Sequence, residues 1–120
     1  MSKIHDTGKW GEQLAHDFFV KKGFIIEATN WRWNHKEIDL IVSDTNSIIF
    51  IEVKTRTAGL LSKPEDALTN KKQKDLLKAA EAYLIKNDIT KEARFDVISI
   101  YVSGNDHKLT HIPNAFGPQW

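Results

Sequence analysis

The stretch Glu37-Ile38-Asp39-Leu40-Ile41-Val42-Ser43-Asp44-Thr45-Asn46-Ser47-Ile48-Ile49-Phe50-Ile51-Glu52-Val53-Lys54 sets two apolar, β-branched runs on either side of a short polar break. It reads as a β-hairpin with Thr45 and Asn46 at its tip. A tip there places residue i opposite residue 91 minus i, so Asp39 faces Glu52 and Glu37 faces Lys54. Because side chains alternate, Glu37, Asp39 and Ile41 share a face with Phe50, Glu52 and Lys54. Three carboxylates and one ammonium then converge, while Ile38, Leu40, Val42, Ile49, Ile51 and Val53 make the other face wholly apolar.

One reading of that patch is a surface charge cluster on an ordinary hairpin. Against it, like charges directly opposite one another destabilise a sheet, and partly buried neighbouring carboxylates resist ionising together. A proton or a cation between Asp39 and Glu52 relieves both problems. A hard divalent ion, Mg²⁺ or Mn²⁺, suits a site of few carboxylates with room for water.

Working outward, Asp6 or Thr7 can cap a helix that runs to about Lys22 and stops at Gly23. Leu14, Ala15, Phe18 and Phe19 form its apolar arc, and Glu12 lies at the edge of the arc, either solvated or turned toward the sheet. His16 is spaced to pair with Glu12. A first strand follows at 24–29, then a polar segment, Asn30-Trp31-Arg32-Trp33-Asn34-His35-Lys36. Its tryptophans can stack on bases beside cationic side chains, or they can cap the core.

Beyond Lys54, residues 55–63 read as a loop at the mouth of the site. A helical turn is expected near Pro64 and a longer helix from about Asn70 to Asn87, burying Leu76, Leu77, Ala80, Tyr83 and Leu84. That helix opens on Lys71-Lys72-Gln73-Lys74, cations that oppose the helix dipole and suggest an anionic partner nearby, unless they are simply solvated. Arg94 to Val102 reads as a strand parallel to Ile48–Lys54 through a crossover. Arg94 and Asp96 suit a structural ion pair as well as a functional one. A short edge strand is expected at 108–112, followed by an irregular tail. His107 and His111 have a zinc-like spacing, but without a third ligand they give little support for zinc.

The 120 residues suggest a single domain, residues 1–120, and the 41% hydrophobic and 28% charged content is ordinary for a globular protein. Without cysteine, neither disulfides nor thiolate metal sites arise. No signal peptide or membrane-length apolar run is visible, so the expectation is a cytoplasmic protein without a membrane partner. A net charge of +1 gives no footprint of a dedicated nucleic-acid binder, although a local basic rim remains compatible with an enzyme on nucleic acid.

A helix with a glutamate, a strand meander carrying Asp39 and then Glu52-Val53-Lys54, a helix and a parallel strand together resemble the PD-(D/E)XK nuclease superfamily. The signature's proline is absent. More closely, the chain resembles the YraN-like family of small bacterial proteins, which are similar to archaeal Holliday-junction resolvases. The likeness runs through Gly11-Glu12, Asn30-Trp31-Arg32, Glu37-Ile38-Asp39-Leu40-Ile41, Phe50-Ile51-Glu52-Val53-Lys54-Thr55-Arg56, Lys72-Gln73, Tyr83-Leu84, Arg94-Phe95-Asp96-Val97-Ile98 and Asn114-Ala115-Phe116. The family usually carries glycine where this chain has Lys36.

The resemblance implies an α/β fold with a restriction-endonuclease-like αβββαβ core, a mixed four-stranded sheet flanked by helices. It implies a Mg²⁺-dependent (or Mn²⁺-dependent) endonuclease, with DNA as the expected partner and a homodimer compatible with symmetric incision. Asp39 and Glu52 would ligate the ion, joined by the Val53 carbonyl and by Glu12. Lys54 would orient water or stabilise the transition state, and Glu37 would hold Lys54. Arg32, Arg56, Lys72, Gln73 and Trp31 would contact nucleic acid. The alternative is a nucleic-acid-binding or DNA-processing interaction module that keeps the fold without cutting.

Overall fold

The computed structural model describes residues 3–57 and 68–117, with side chains from Gly8 onward in the first helix. Its elements are α1 (Lys3–Lys21), β1 (Ile25–Trp33), β2 (Lys36–Ser43), β3 (Ser47–Thr57), α2 (Asn70–Lys86), β4 (Glu92–Ser103) and β5 (Asp106–Phe116). They form one mixed sheet in the order β1-β2-β3-β4-β5, with β3 and β4 parallel and the other pairs antiparallel. The general α/β class is as expected. The edge strand expected at 108–112 is β5, the fifth strand of the sheet, and it is longer than expected, continuing through residues 113–116, where an irregular tail is expected. β3 likewise runs on to Thr57 rather than opening into a loop at Thr55. The rest of that expected loop and the turn near Pro64 lie outside the described residues.

The central hairpin has the anticipated register, from Leu40↔Ile51 to Ser43↔Ile48. Asp44 makes the turn, accepting hydrogen bonds from the backbone N–H groups of Asn46 (2.9 Å) and Ser47 (2.7 Å). A second hairpin joins β1 to β2 through Asn34 (φ 50°) and His35 (φ 69°). Two successive left-handed residues form the turn favoured between twisted strands, and Asn and His tolerate that region better than most side chains. Lys36, where the resemblance implies glycine, is an ordinary strand residue paired with Trp33, so the turn makes no demand for glycine there.

The two helices cover opposite faces. Ala15 and Phe19 of α1 pack on Leu40, Val42, Ile49, Ile51, Ile98 and Ile100. Leu76, Ala79, Ala80 and Tyr83 of α2 pack on Ile38, Ile41, Ile48, Phe50, Phe95 and Phe116. Both sheet faces are therefore apolar, which explains the near-continuous hydrophobic runs of the hairpin. One expectation fails here: Ile38 joins the α2 face with Ile41, not the α1 face with Leu40. Strict alternation breaks between Ile38 and Leu40, at Asp39.

Gly11 sets the depth of α1. A Cβ there would run into Thr55 Oγ1 and come within 3.5 Å of Ile100 Cδ1, so only glycine lets the helix lie this close to β3.

On the far side, Arg94 and Asp96 are structural. Asp96 is fully buried and accepts hydrogen bonds from Arg94 Nε (2.9 Å) and Nη2 (2.8 Å) and from the Asn114 backbone N–H (2.9 Å), with His111 Nε2 at 2.7 Å. This occurs where the β4–β5 register shifts between Phe95 and Val97, opposite Pro113 and left-handed Asn114 (φ 53°). His111 is thus bound to Asp96, and His107 packs edge-on against Trp10 with centroids 5.2 Å apart. Among the described residues, no group of three His, Cys, Asp or Glu side chains is placed to hold a metal. No helix among them is long and apolar enough to cross a membrane.

Two outcomes follow from this packing. Gly11→Ala gains about 1 kcal/mol of helix propensity but incurs an overpacking cost of about 1–3 kcal/mol; its urea midpoint is expected to fall, and Thr55→Ala is expected to restore it. Burial alone would push the Asp96 carboxyl up, but the Arg94 fork, the Asn114 N–H and His111 outweigh it and hold the carboxyl below the ordinary range. Its contribution is fully present above the unfolded carboxylate range and is lost as pH falls through the depressed folded value. Asp96→Asn should cost on the order of 3 kcal/mol at neutral pH and flatten the acid limb of a stability-versus-pH curve. An unchanged limb would show that the network does not carry that stability.

Candidate metal and nucleic-acid site

The β2–β3 ladder ends at Leu40↔Ile51, while β1 and β2 stay paired out to Trp33↔Lys36 and β3 and β4 out to Thr57↔Val102. The sheet therefore splits between β2 and β3, one step beyond the last pair. Asp39 and Glu52 stand at that split. Asp39 Oδ2 accepts the backbone N–H of Val53 at 2.8 Å, a side-chain bond across strands whose ladder has ended. Val53 thus meets Asp39 through its N–H.

Glu52 is only 4% exposed. Its Oε2 lies 3.1 Å from Lys54 Nζ and 3.7 Å from Lys72 Nζ, and its buried Oε1 has no hydrogen-bond partner. Lys72 supplies the cation from the first turn of α2, whose N-cap is the Thr69 hydroxyl accepting from the Lys72 N–H. The anionic neighbour suggested by the lysine-rich start of α2 is, for Lys72, Glu52 itself; Lys71 pairs with Asp75 at 3.1 Å.

Burial pushes the Asp39 carboxyl up to about 7, with the charge of Glu52 adding to it. Glu12 contributes in the same direction, and the Val53 N–H partly offsets these effects. Two carboxyl groups in a poorly solvated gap cannot both ionise cheaply. Asp39 is the carboxyl driven toward its protonated form, while Glu52 lies against the ammonium groups of Lys54 and Lys72.

A cleft of about 600 Å³ opens beside Asp39, between α1 and the β1–β2 hairpin. Its wall includes Glu12, Asn30, Arg32, Glu37 and Asp39, with Lys9 and His16 at the helix side. Glu12 therefore turns toward the sheet, the reading in which it joins the site. Glu37 does not hold Lys54, contrary to the register argument. It accepts from Asn30 Nδ2 at 2.9 Å and lies 3.5 Å from Arg32, because the split carries β2 away from β3 before Glu37 is reached. His16 pairs with Asp17 at 3.1 Å rather than with Glu12.

The expected nucleic-acid contacts divide. Arg32 is 78% exposed along its side chain, and Lys72 is partly exposed. Arg56 is half-buried on β3, with Nε buried and unpartnered. Gln73 is committed elsewhere, since its amide donates to the Leu68 carbonyl at 3.0 Å. Trp31 packs edge-on against Tyr83 with centroids 5.1 Å apart, which is the core-capping reading. Trp33 is the exposed member of the pair, with Lys36 Nζ 5.6 Å from its ring centroid.

Asp39 and Glu52 bring carboxylate oxygens to the split, one of them buried without a partner, but among the described residues no three His, Cys, Asp or Glu side chains are placed together to hold a metal. Backbone carbonyl and water oxygens would have to complete any coordination shell. Asn30, quoted above within Asn30-Trp31-Arg32, links Glu12 and Glu37; nothing in its spacing signals a left-handed residue opposite Asp39.

The model of the uncharacterised protein family UPF0102 matches residues 11–100, a span that holds α1 from Gly11, the split and most of β4. A UPF0102 protein of Flavobacterium psychrophilum is 39% identical over 116 residues, covering 97% of this chain and 98% of its own. One of Chlorobium phaeobacteroides is 41% identical over 119 residues (93% and 94%), and one of Syntrophomonas wolfei is 40% identical over 112 residues (92% and 97%). With that breadth of match across both helices and the sheet, the chain belongs to the UPF0102 family.

Proposed function

We propose that the chain is a metal-dependent phosphodiesterase, an endonuclease acting on DNA, built on a restriction-endonuclease-like core. The observation that carries this reading is the pairing of Asp39 with a buried Glu52 at the split of the sheet, with Lys54 bound to Glu52. The order of helix, three antiparallel strands, helix and parallel strand supports it.

In this reading Asp39 and Glu52, with the Val53 carbonyl and Glu12, hold Mg²⁺ or Mn²⁺. When bound, the ion supplies Lewis acidity that lowers the pKa of water and offsets charge growing on the phosphate. The Val53 N–H fixes the Asp39 carboxylate, and Glu52 fixes the Lys54 ammonium beside it. Lys54 then orients the attacking water or stabilises the pentavalent transition state, a contribution that depends on being preset rather than recruited. Lys72, Arg56 and Arg32 neutralise backbone phosphates, which fix register without reading sequence. Trp33, beside Lys36, offers an exposed ring to a base.

Labelled single-stranded, duplex, flap and four-way-junction DNA and an RNA hairpin, each with Mn²⁺, Mg²⁺ or EDTA, test the activity and reveal its substrate. Metal-dependent cutting should fall at least about 100-fold in both Asp39→Asn and Lys54→Ala. Binding without cutting of any substrate would instead favour the non-catalytic module.

A second measurement separates metal binding from catalysis. Anything that binds only the folded chain stabilises it by mass action, so excess Mn²⁺ should raise the melting temperature of the wild type and leave that of Asp39→Asn unmoved. Equal shifts in the two proteins would place the ion elsewhere.

A further inference from the structure

Beyond the last β2–β3 pair, β1 and β2 run on as a two-stranded ribbon through Trp31↔Ile38, Arg32↔Glu37 and Trp33↔Lys36, paired among the described residues only with each other. The root of the ribbon is anchored, because Trp31 packs on Tyr83 and Ile38 is fully buried in the core under α2. Its tip is open to solvent: Arg32, Trp33, Asn34 and His35 are all exposed. The tight turn through left-handed Asn34 and His35 keeps that tip ordered, with Trp33 held in the ladder opposite Lys36. Because side chains alternate, Trp33 and Lys36 share the face that Trp31 and Ile38 turn to α2, while Arg32 and Glu37 line the cleft on the other side.

That face is cationic. Lys36 Nζ lies 5.6 Å from the Trp33 ring centroid, and α2 carries exposed Lys71, Lys74 and Lys78, spaced three and four apart so that they share one side of the helix. The two groups meet around Asp75. Its hydrogen bond from Lys71 holds its carboxyl below the ordinary range, and the charges of Lys36 and Lys78 act in the same direction. Lys71 is paired with Asp75, whereas Lys36, Lys74 and Lys78 enter no ion pair among the described residues. The ligand that complements this surface is an anion that also presents a flat, uncovered ring. A polynucleotide supplies both, phosphates for the ammonium groups and a base for the indole. In a continuous duplex each base is covered on both sides by its neighbours, which leaves a ring at the ribbon tip no face to meet.

We propose that the tip of the β1–β2 ribbon is a docking element for unpaired nucleic acid, in which Trp33 stacks on an unpaired base while Lys36 and the lysines of α2 neutralise the flanking phosphates. The inference rests on the nucleic-acid part of the reading above and needs no metal. It narrows the substrate to DNA with a single-stranded segment, whether a free strand, a flap or an opened branch.

Binding is read in EDTA, by fluorescence anisotropy of the full-length chain with a labelled single strand and with the matching duplex. Trp33→Ala should weaken binding of the single strand about tenfold, the loss expected when one base loses its stacking partner, and leave duplex binding little changed. Trp33→Phe, which keeps a ring, should retain most of the affinity, and the urea midpoints of both variants should stay near that of the wild type because Trp33 is exposed. A second readout needs no variant: a single strand carrying 5-iodouracil, irradiated on the wild type, should cross-link to Trp33. Unchanged affinity in Trp33→Ala, an equal loss on the duplex, or cross-links confined to other residues overturns the proposal and leaves the nuclease reading to its own cleavage assay. A wild type that binds neither DNA overturns both.

Discussion

The end of the β2–β3 ladder at Leu40 is the constraint on which the arrangement depends. A sheet that kept pairing would tie Asp39 and Glu52 into a regular ladder, with like charges opposed at close range. Instead β2 leaves β3 while both stay anchored to their outer neighbours. Asp39 is then free to turn its carboxylate onto the Val53 N–H, and Glu52 is left behind in the gap. The change of face between Ile38 and Leu40 is the same event seen from the core: Ile38 is drawn to α2, where Tyr83 and Leu76 bury it, and the strand turns at Asp39.

Charge is distributed to match. The lysines at the start of α2 oppose the helix dipole, and a first turn without acidic residues would ordinarily weaken that end. The conflict is eased because Lys72 faces Glu52 and Lys71 faces Asp75. The acids of the cleft are met differently, by the neutral amide of Asn30, with Arg32 at the rim. Lys54 and Lys72 thus gather on the Glu52 side, and the carboxylates of Glu12 and Glu37 gather on the α1 side, with Arg32 beside Glu37. A near-neutral total charge conceals this polarity, which is why composition alone gave no footprint.

Much of this geometry was legible in the residues. The β-branched runs and the Asp44–Ser47 break set the hairpin register to the residue, and the spacing of Leu76, Ala80 and Tyr83 identified the buried face of α2. What could not be read were places where one side chain overrides periodicity. The β1–β2 turn is made by Asn34 and His35 without glycine, so residues 30–36 read only as a polar segment, with no turn marked in it. The length of β5 depends on Asp96 capturing the Asn114 N–H across a register shift, a bond between residues far apart in sequence. Glu37 was assigned to Lys54 because the register was extended past the point where the strands separate; pairing arithmetic holds only while pairing lasts.

The cost of the site argues that it is more than packing. Glu52 is buried with one oxygen unpartnered, and an unsatisfied buried polar atom destabilises a fold by about 1–3 kcal/mol. Asp39 is held beside it in a gap that favours its proton over its charge. Apolar residues of similar volume would extend the two existing cores and, as with other buried charge clusters, would commonly be neutral or stabilising. Compare Asp96, equally buried, where every neighbour donates to it and its carboxyl is held below the ordinary range. The same chain thus contains a carboxylate satisfied by its surroundings and a pair in which one buried carboxylate oxygen has no hydrogen-bond partner. The first belongs to the architecture, whereas the second stands at the split of the sheet, where Asp39 also lines the cleft beside α1.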